Sequence, residues 1–129
     1  MKIILANWKM NGSLESVEEY CDAINFADFN DSKVILALPD IFLQFASTII
    51  NKTKIALCGQ AVSAESDGAF TGQTSARMLN DIGCSYTLVG HSERRSFESD
   101  QSIFDQISIA LEHNLIPILC VGETQIEKI

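Results

Sequence analysis

The chain lacks any apolar stretch long enough to cross a bilayer. Its longest runs, Val34 to Leu38 and Leu115 to Val121, fall far short of the roughly 20 residues a spanning helix needs. The opening segment MKIILANWKMNG places one lysine before a short apolar run, Ile3 to Ala6, which is too short for the core of a signal peptide. The expectation is a cytoplasmic protein with no membrane partner. Basic residues are scarce: 9 Lys and Arg stand against 17 Asp and Glu, for a net charge of −8. They form no continuous stripe, which argues against nucleic acid or an anionic membrane as a partner. An anionic substrate would need a local positive pocket.

Paired cysteines are also absent. Cys21, Cys58, Cys84 and Cys120 each sit singly in apolar stretches, with no C-x-x-C pair and no histidine at metal-ligand spacing. Buried free thiols and no metal site are expected. Neither G-x-G-x-x-G after a strand nor the phosphate loop G-x-x-x-x-G-K-[ST] occurs, so the two common nucleotide-binding signatures are missing. Low-complexity sequence is missing too.

What is present describes one globular domain: 129 residues, 47% hydrophobic and 20% charged. Along the chain two periods alternate. Lys2 to Trp8 reads as a strand broken by NGS. Leu14, Val17, Cys21 and Ile24 then recur at helical spacing with acidic residues opposite. Either Ser13 or Ser16 caps that helix, Ser16 forming a capping box with Glu19. Lys33 to Leu38 is a second strand, and Asp40 is the expected cap of a helix whose apolar face is Phe42, Phe45, Ala46 and Ile49. Lys54 to Gly59 is a third strand. The long polar loop QAVSAESDGAFTGQTS follows it, and Ser75 then caps a short helix ending at Gly83. Loops of that length in compact domains are usually functional. Ser85 to Gly90 is a fourth strand, followed after HSERRSFESD by a helix with Ile103, Phe104, Ile107, Ala110 and Leu111 on its apolar face. His113 is a solvated residue near that helix's end, where its charge suits the dipole. Leu115 to Gly122 is a fifth strand, and ETQIEKI opens a further helix.

Strands of continuous apolar character, separated by amphipathic helices, indicate a parallel sheet buried on both faces and the α/β class. A doubly wound sheet and a (β/α)8 barrel both satisfy that pattern. Polar residues at the C-terminal ends of several strands suit the barrel, which gathers its active residues at that rim: Asn7 and Lys9, Gln60, His91, and Glu123.

Asn7 and Lys9 are two apart, so in an extended strand both face one side and Trp8 the other. A lysine facing a barrel centre is costly unless an anion meets it; alternatively Lys9 has already left the strand for solvent. His91 is either an ordinary loop histidine or, if SERR begins a helical turn, an imidazole kept neutral by the positive end of that turn. Glu93, Arg94 and Arg95 are equally consistent with a salt-bridged surface turn.

The segments ANWKMNG, GAFTGQTSA, YTLVGHSERR and PILCVGET, in that order, resemble the signature segments of the triosephosphate isomerase family, and the resemblance covers the whole chain. It implies a (β/α)8 TIM barrel in which residues 1–129 are the N-terminal portion of a single domain. That portion is an incomplete barrel of about five parallel strands, the C-terminal portion being absent. It also implies interconversion of dihydroxyacetone phosphate and glyceraldehyde 3-phosphate through an enediolate, with a phosphorylated triose as substrate and no cofactor or metal. A glutamate base working with a neutral histidine is a pairing for which that family is the standard example.

By the same resemblance His91 is the electrophile, Lys9 places positive charge beside the substrate, Asn7 binds substrate with it, and Glu93 supports them. Thr71 belongs to a loop that reaches into a neighbouring subunit, so a homodimer is implied. Two departures stand out. Gln73 occupies a place where the family usually has glutamate, expected to pair with Arg94 across the interface. No glutamate in the chain matches the motif of the family's base, and three strands, the lid and the phosphate-binding loops are missing. The 129 residues alone are therefore expected to be inactive. Alternatives are a non-catalytic remnant or half-barrel that needs a C-terminal half in trans, and another barrel enzyme acting on a phosphorylated sugar.

Overall fold

The computed structural model describes residues 1–124, so the helix expected from ETQIEKI lies outside the described residues from position 125 on. Strands and helices alternate from end to end: β1 (Ile3–Asn7), α1 (Leu14–Asn25), β2 (Lys33–Leu38), α2 (Asp40–Ile49), β3 (Ile55–Gly59), α3 (Ala76–Asp81), β4 (Cys84–Val89), α4 (Asp100–Glu112) and β5 (Ile116–Leu119). The sheet order is β1-β2-β3-β4-β5 and every pairing is parallel. A doubly wound sheet reverses its strand order at a switch point. This one never does, and the five strands form a curled part of a (β/α) barrel.

A period of two lies hidden under the apolar runs. On β2, Val34, Leu36 and Leu38 join the outer core against the helices, whereas Ile35 and Ala37 join an inner cluster with Ala56, Cys58 and Leu88 on the concave face. Both faces of β2 and β3 are covered, which is why neither strand alternates in polarity. Each fully buried Leu or Ile there contributes roughly 1.5–3 kcal/mol relative to exposure.

Local chemistry sets the boundaries. Ser13, not Ser16 with Glu19, caps α1: its hydroxyl accepts from the Ser16 amide at 3.1 Å, and the Ser16 hydroxyl accepts from the Ser13 amide at 2.8 Å. Asp40 does not cap α2. Pro39 holds the cap position, and Asp40 is the first helical residue, accepting from the Thr74 hydroxyl at 2.5 Å. Ser75 caps α3 and Ser99 caps α4 through their hydroxyls. β1 and β5 are shorter than the runs Lys2 to Trp8 and Leu115 to Gly122, although single ladder bonds continue them: Trp8 N to the Ala37 carbonyl at 3.0 Å and Cys120 N to the Val89 carbonyl at 2.9 Å. Leu14 on α1, and Phe104 and Leu111 on α4, are exposed rather than part of the apolar contact faces. On α4, Gln106 and Ile109 are buried with Ile103 and Ala110, so the contact face is rotated away from Phe104 and Leu111. His113 is the C-cap residue of α4 and half-buried.

Among the described residues no helix is long and apolar enough to cross a membrane.

Candidate active site at the strand rim

The polar residues expected at the C-terminal rim divide into two groups. Asn7, Lys9, His91 and Glu93 come together. Thr71, Gln73 and Arg94 lie apart from them, around the long loop between β3 and α3.

Asn7 ends β1. Two residues on, Lys9 has left the strand and adopts φ +54°, in the left-handed region that costs a non-glycine residue strain. Of the two readings of this stretch, an inward-facing pair on one extended strand or a Lys9 that has left the strand for solvent, the second holds. The fold holds the turn with hydrogen bonds: the Asn7 side-chain oxygen accepts from the Lys9 amide at 2.9 Å. Gln60, at the end of β3, sends Nε2 to the Lys9 carbonyl at 2.9 Å, the Ala37 carbonyl at 3.2 Å and the Asn7 Oδ1 at 3.3 Å. Gln60 stood out in the sequence only as a polar residue at a strand end, and nothing local marks it as a clamp across β1, β2 and β3.

The ammonium of Lys9 lies 3.5 Å from Glu93 Oε2, and Glu93 Oε1 lies 3.5 Å from His91 Nδ1. The second contact is not an ion pair. His91 Nδ1 is 3.1 Å from the Glu93 main-chain nitrogen, and an amide N–H only donates, so Nδ1 accepts and carries no hydrogen. The ring hydrogen is then on Nε2, which has no partner among the described residues. The residues SERR form one isolated helical turn that does not grow into a helix: the Arg94 and Arg95 amides donate to the His91 carbonyl at 2.8 and 3.2 Å, and α4 starts only at Asp100. A single amide from Glu93, rather than a helix terminus, sets the imidazole tautomer.

Arg94 turns away from this cluster. Its Nε and Nη2 both meet Glu98 Oε1 at 2.8 Å, its guanidinium lies 5.0 Å from the Phe97 ring centroid, and Glu98 Oε2 is buried without a partner among the described residues. Gln73 Oε1 accepts from the Ser63 hydroxyl at 2.6 Å. Gln73 and Arg94 both line a cavity of about 540 Å³, together with Asp40, Glu65 and Phe70. That cavity is not at the Lys9 and His91 cluster: none of Asn7, Lys9, His91 and Glu93 lines it. Thr71 is exposed on the loop tip, where Gly68 and Gly72 take positive φ.

The thiols are free. Burial pushes Cys21 up to about 11 and Cys84 up to about 12, and drives Cys58 higher still. Burial also raises Cys120, half-buried just past β5, and the positive charge of Arg95 opposes that rise. Among the described residues no group of His, Cys, Asp and Glu is placed to hold a metal ion.

Positive charge, a side-chain amide and an imidazole presenting an N–H converge where barrel enzymes carry their chemistry. A sequence profile described as triosephosphate isomerase matches residues 2–129. The chain belongs to the triosephosphate isomerase family. It is 40% identical over 128 residues to the triosephosphate isomerase of Francisella tularensis subsp. novicida, covering 95% of this chain and 50% of that protein. With the triosephosphate isomerase of Enterobacter cloacae the identity is 41% over 130 residues, covering 98% of this chain and 51% of the relative. The chain thus spans about half the length of the curated triosephosphate isomerases it matches.

Proposed function

We propose that residues 1–129 are the N-terminal portion of a single TIM-barrel domain and supply the electrophilic half of a triosephosphate isomerase site. That site interconverts dihydroxyacetone phosphate and glyceraldehyde 3-phosphate in glycolysis and gluconeogenesis, in the cytoplasm. The observation that carries this reading is the convergence of Lys9 and His91 on Glu93. An imidazole whose Nδ1 is already occupied as an acceptor offers Nε2–H to a carbonyl oxygen. Lys9 places an ammonium beside the negative charge that develops on that oxygen as the enediolate forms. Asn7, fixed by Gln60, binds substrate with Lys9. Glu93 holds Lys9 through its carboxylate and His91 through its main-chain amide.

Removal of the carbon-bound proton needs a base. A positioned general base contributes roughly 10²- to 10⁴-fold, and no glutamate among these residues matches the motif of the family's base. A polypeptide of these 129 residues alone is therefore a half-barrel that requires a C-terminal half in trans. Dimerisation through the loop bearing Thr71 and Gln73 against Arg94 of another copy completes the proposal.

The test is to co-express the chain with the C-terminal half of the Francisella relative and measure triose phosphate turnover, with His91→Gln and Lys9→Met as controls. Activity that both substitutions abolish is expected. A folded, stoichiometric complex with no turnover overturns the proposal.

A further inference from the structure

We propose that Arg95 is the positioning residue for His91, setting the direction in which the imidazole leaves β4. His91 follows Gly90, whose φ of +69° lies in the left-handed region that favours glycine. The Arg95 side chain folds back across that turn. Its Nε donates to the Gly90 carbonyl at 2.7 Å and its Nη2 donates to the Cys120 carbonyl at 2.7 Å. Its own amide donates to the His91 carbonyl at 3.2 Å. One residue thus ties down the peptide groups on both sides of the His91 backbone and joins them to the end of β5.

The site is built around the guanidinium. A Cβ at Gly90 would come within 2.9 Å of Arg95 Nη2 and 3.4 Å of Leu119 Cδ1, so the arginine fills the space a side chain at residue 90 would need. The β4–β5 ladder runs out at Val89 and Leu119, with Cys120 N reaching the Val89 carbonyl at 2.9 Å. Arg95 continues that seam where the main-chain bonds stop. Both side-chain bonds come from a charged donor and are stronger than neutral ones, and the planar fork reaches two carbonyls at once, which a lysine ammonium on a flexible stem does not reproduce. The nearby Asp100 carboxylate, 3.9 Å from Nη1 and fully exposed, adds little. Holding the Gly90 and His91 peptides keeps Nδ1 over the Glu93 amide, and so keeps the hydrogen on Nε2.

The inference rests on His91 as the substrate-facing donor, yet its test reads the imidazole and not turnover. Long-range nitrogen–proton NMR spectra of the 129-residue chain, nitrogen-labelled and complexed with the unlabelled C-terminal half of the Francisella relative, report the tautomer near neutral pH, with His113 as the internal reference. In the unaltered chain His91 should show a single tautomer, Nδ1 as acceptor and Nε2 bearing hydrogen. In Arg95→Met the difference between its two ring-nitrogen shifts should collapse toward that of a free histidine while the core methyl spectrum is unchanged, and Arg95→Lys should fall between. If Arg95→Met loses protection of the Cys120 amide but leaves the His91 spectrum intact, Arg95 only ties strands together and the proposal is overturned. Should Arg95→Met not fold, Gly90→Ala displaces the guanidinium with the arginine still present, and an unchanged His91 spectrum there overturns it equally. Mixed tautomers in the unaltered chain also overturn it. A sound tautomer signature in an inactive reconstituted enzyme counts against the proposed function and leaves this inference standing.

Discussion

The side-chain amide of Gln60 donates to the main-chain carbonyl of Lys9 at 2.9 Å, across 51 residues of sequence. Lys9 stands in a left-handed conformation at φ +54°, so something outside its own segment must stabilise that geometry. Gln60 also holds Asn7 and Ala37. Gln60→Ala is expected to destabilise the chain by about 1–3 kcal/mol, because it leaves partly buried acceptors without their donor. Urea unfolding measures it. A loss below about 0.5 kcal/mol, the low end for one hydrogen bond, would show that the turn is self-supporting.

Glu93 is more than half exposed, and so is Lys9. Ion pairs of that kind contribute at most about 1 kcal/mol, so Glu93→Gln should scarcely move the urea midpoint. In the reconstituted enzyme the same change should lower kcat at least tenfold, because Lys9 loses the carboxylate that holds its ammonium at the site. Equal, small effects on stability and on kcat would leave Glu93 as a surface residue.

The buried thiols give a pH dependence with a definite sign. Burial raises Cys21 from its ordinary value of 9.0 to about 11 and Cys84 from 9.0 to about 12. The folded state therefore holds these protons more tightly than the unfolded state does. Their contribution is complete below pH 9 and is lost as pH rises from 9 through 11 to 12. Stability measured by urea should be flat in this respect near neutrality and fall on the alkaline side. The fall should be shallower in Cys21→Ala/Cys84→Ala, and an equal slope in that variant would assign the alkaline loss to other groups.

Gln73 lies in the same cavity as Arg94, bonded to Ser63 through Oε1. A carboxylate at residue 73 keeps that acceptor and adds a charge for the guanidinium of another copy to meet, and charge-assisted bonds are roughly twice as strong as neutral ones. If the loop docks on Arg94 of another copy, Gln73→Glu should tighten association of the reconstituted enzyme several-fold in sedimentation equilibrium. An unchanged or weaker dimer would place the contact elsewhere.

The fold was legible wherever one residue's polarity carried the information. Continuous apolar runs marked β2 and β3 because both faces of those strands are covered, and Ser75 announced α3 through its hydroxyl. Backbone geometry was only half legible: that Lys9 leaves the strand was one of two readings of NWKMNG, but nothing there shows the positive φ with which it does so. Long-range donors were equally hidden, since Gln60 and Arg95 act on carbonyls of other strands. Phe104 and Leu111 continue the apolar pattern of α4, but they lie on a side of that helix that no described residue covers. Lys9, His91 and Glu93 were found as a group only through resemblance to a family, because their proximity depends on β1 and β4 ending at the same rim.

The two ends of the sheet set the last expectation. β1 exposes Ile3 at 59% and Ile4 at 48%, and β5 exposes Ile116 at 53% and Leu119 at 46%, while each strand has a neighbour on one side only among the described residues. An apolar strand with open main-chain donors and acceptors is a template for another chain, and exposed Phe104 and Leu111 on α4 widen the patch beside β5. A polypeptide of these 129 residues, expressed alone, should bind ANS and self-associate at micromolar concentration. Co-expression with the C-terminal half of a relative should abolish both effects, because three more strands would pair both edges and close the barrel. Size-exclusion chromatography with light scattering distinguishes the outcomes. A monodisperse monomer that ignores ANS would mean that the edges are already protected, and that the half-barrel is a self-sufficient fold rather than a surface waiting for its complement.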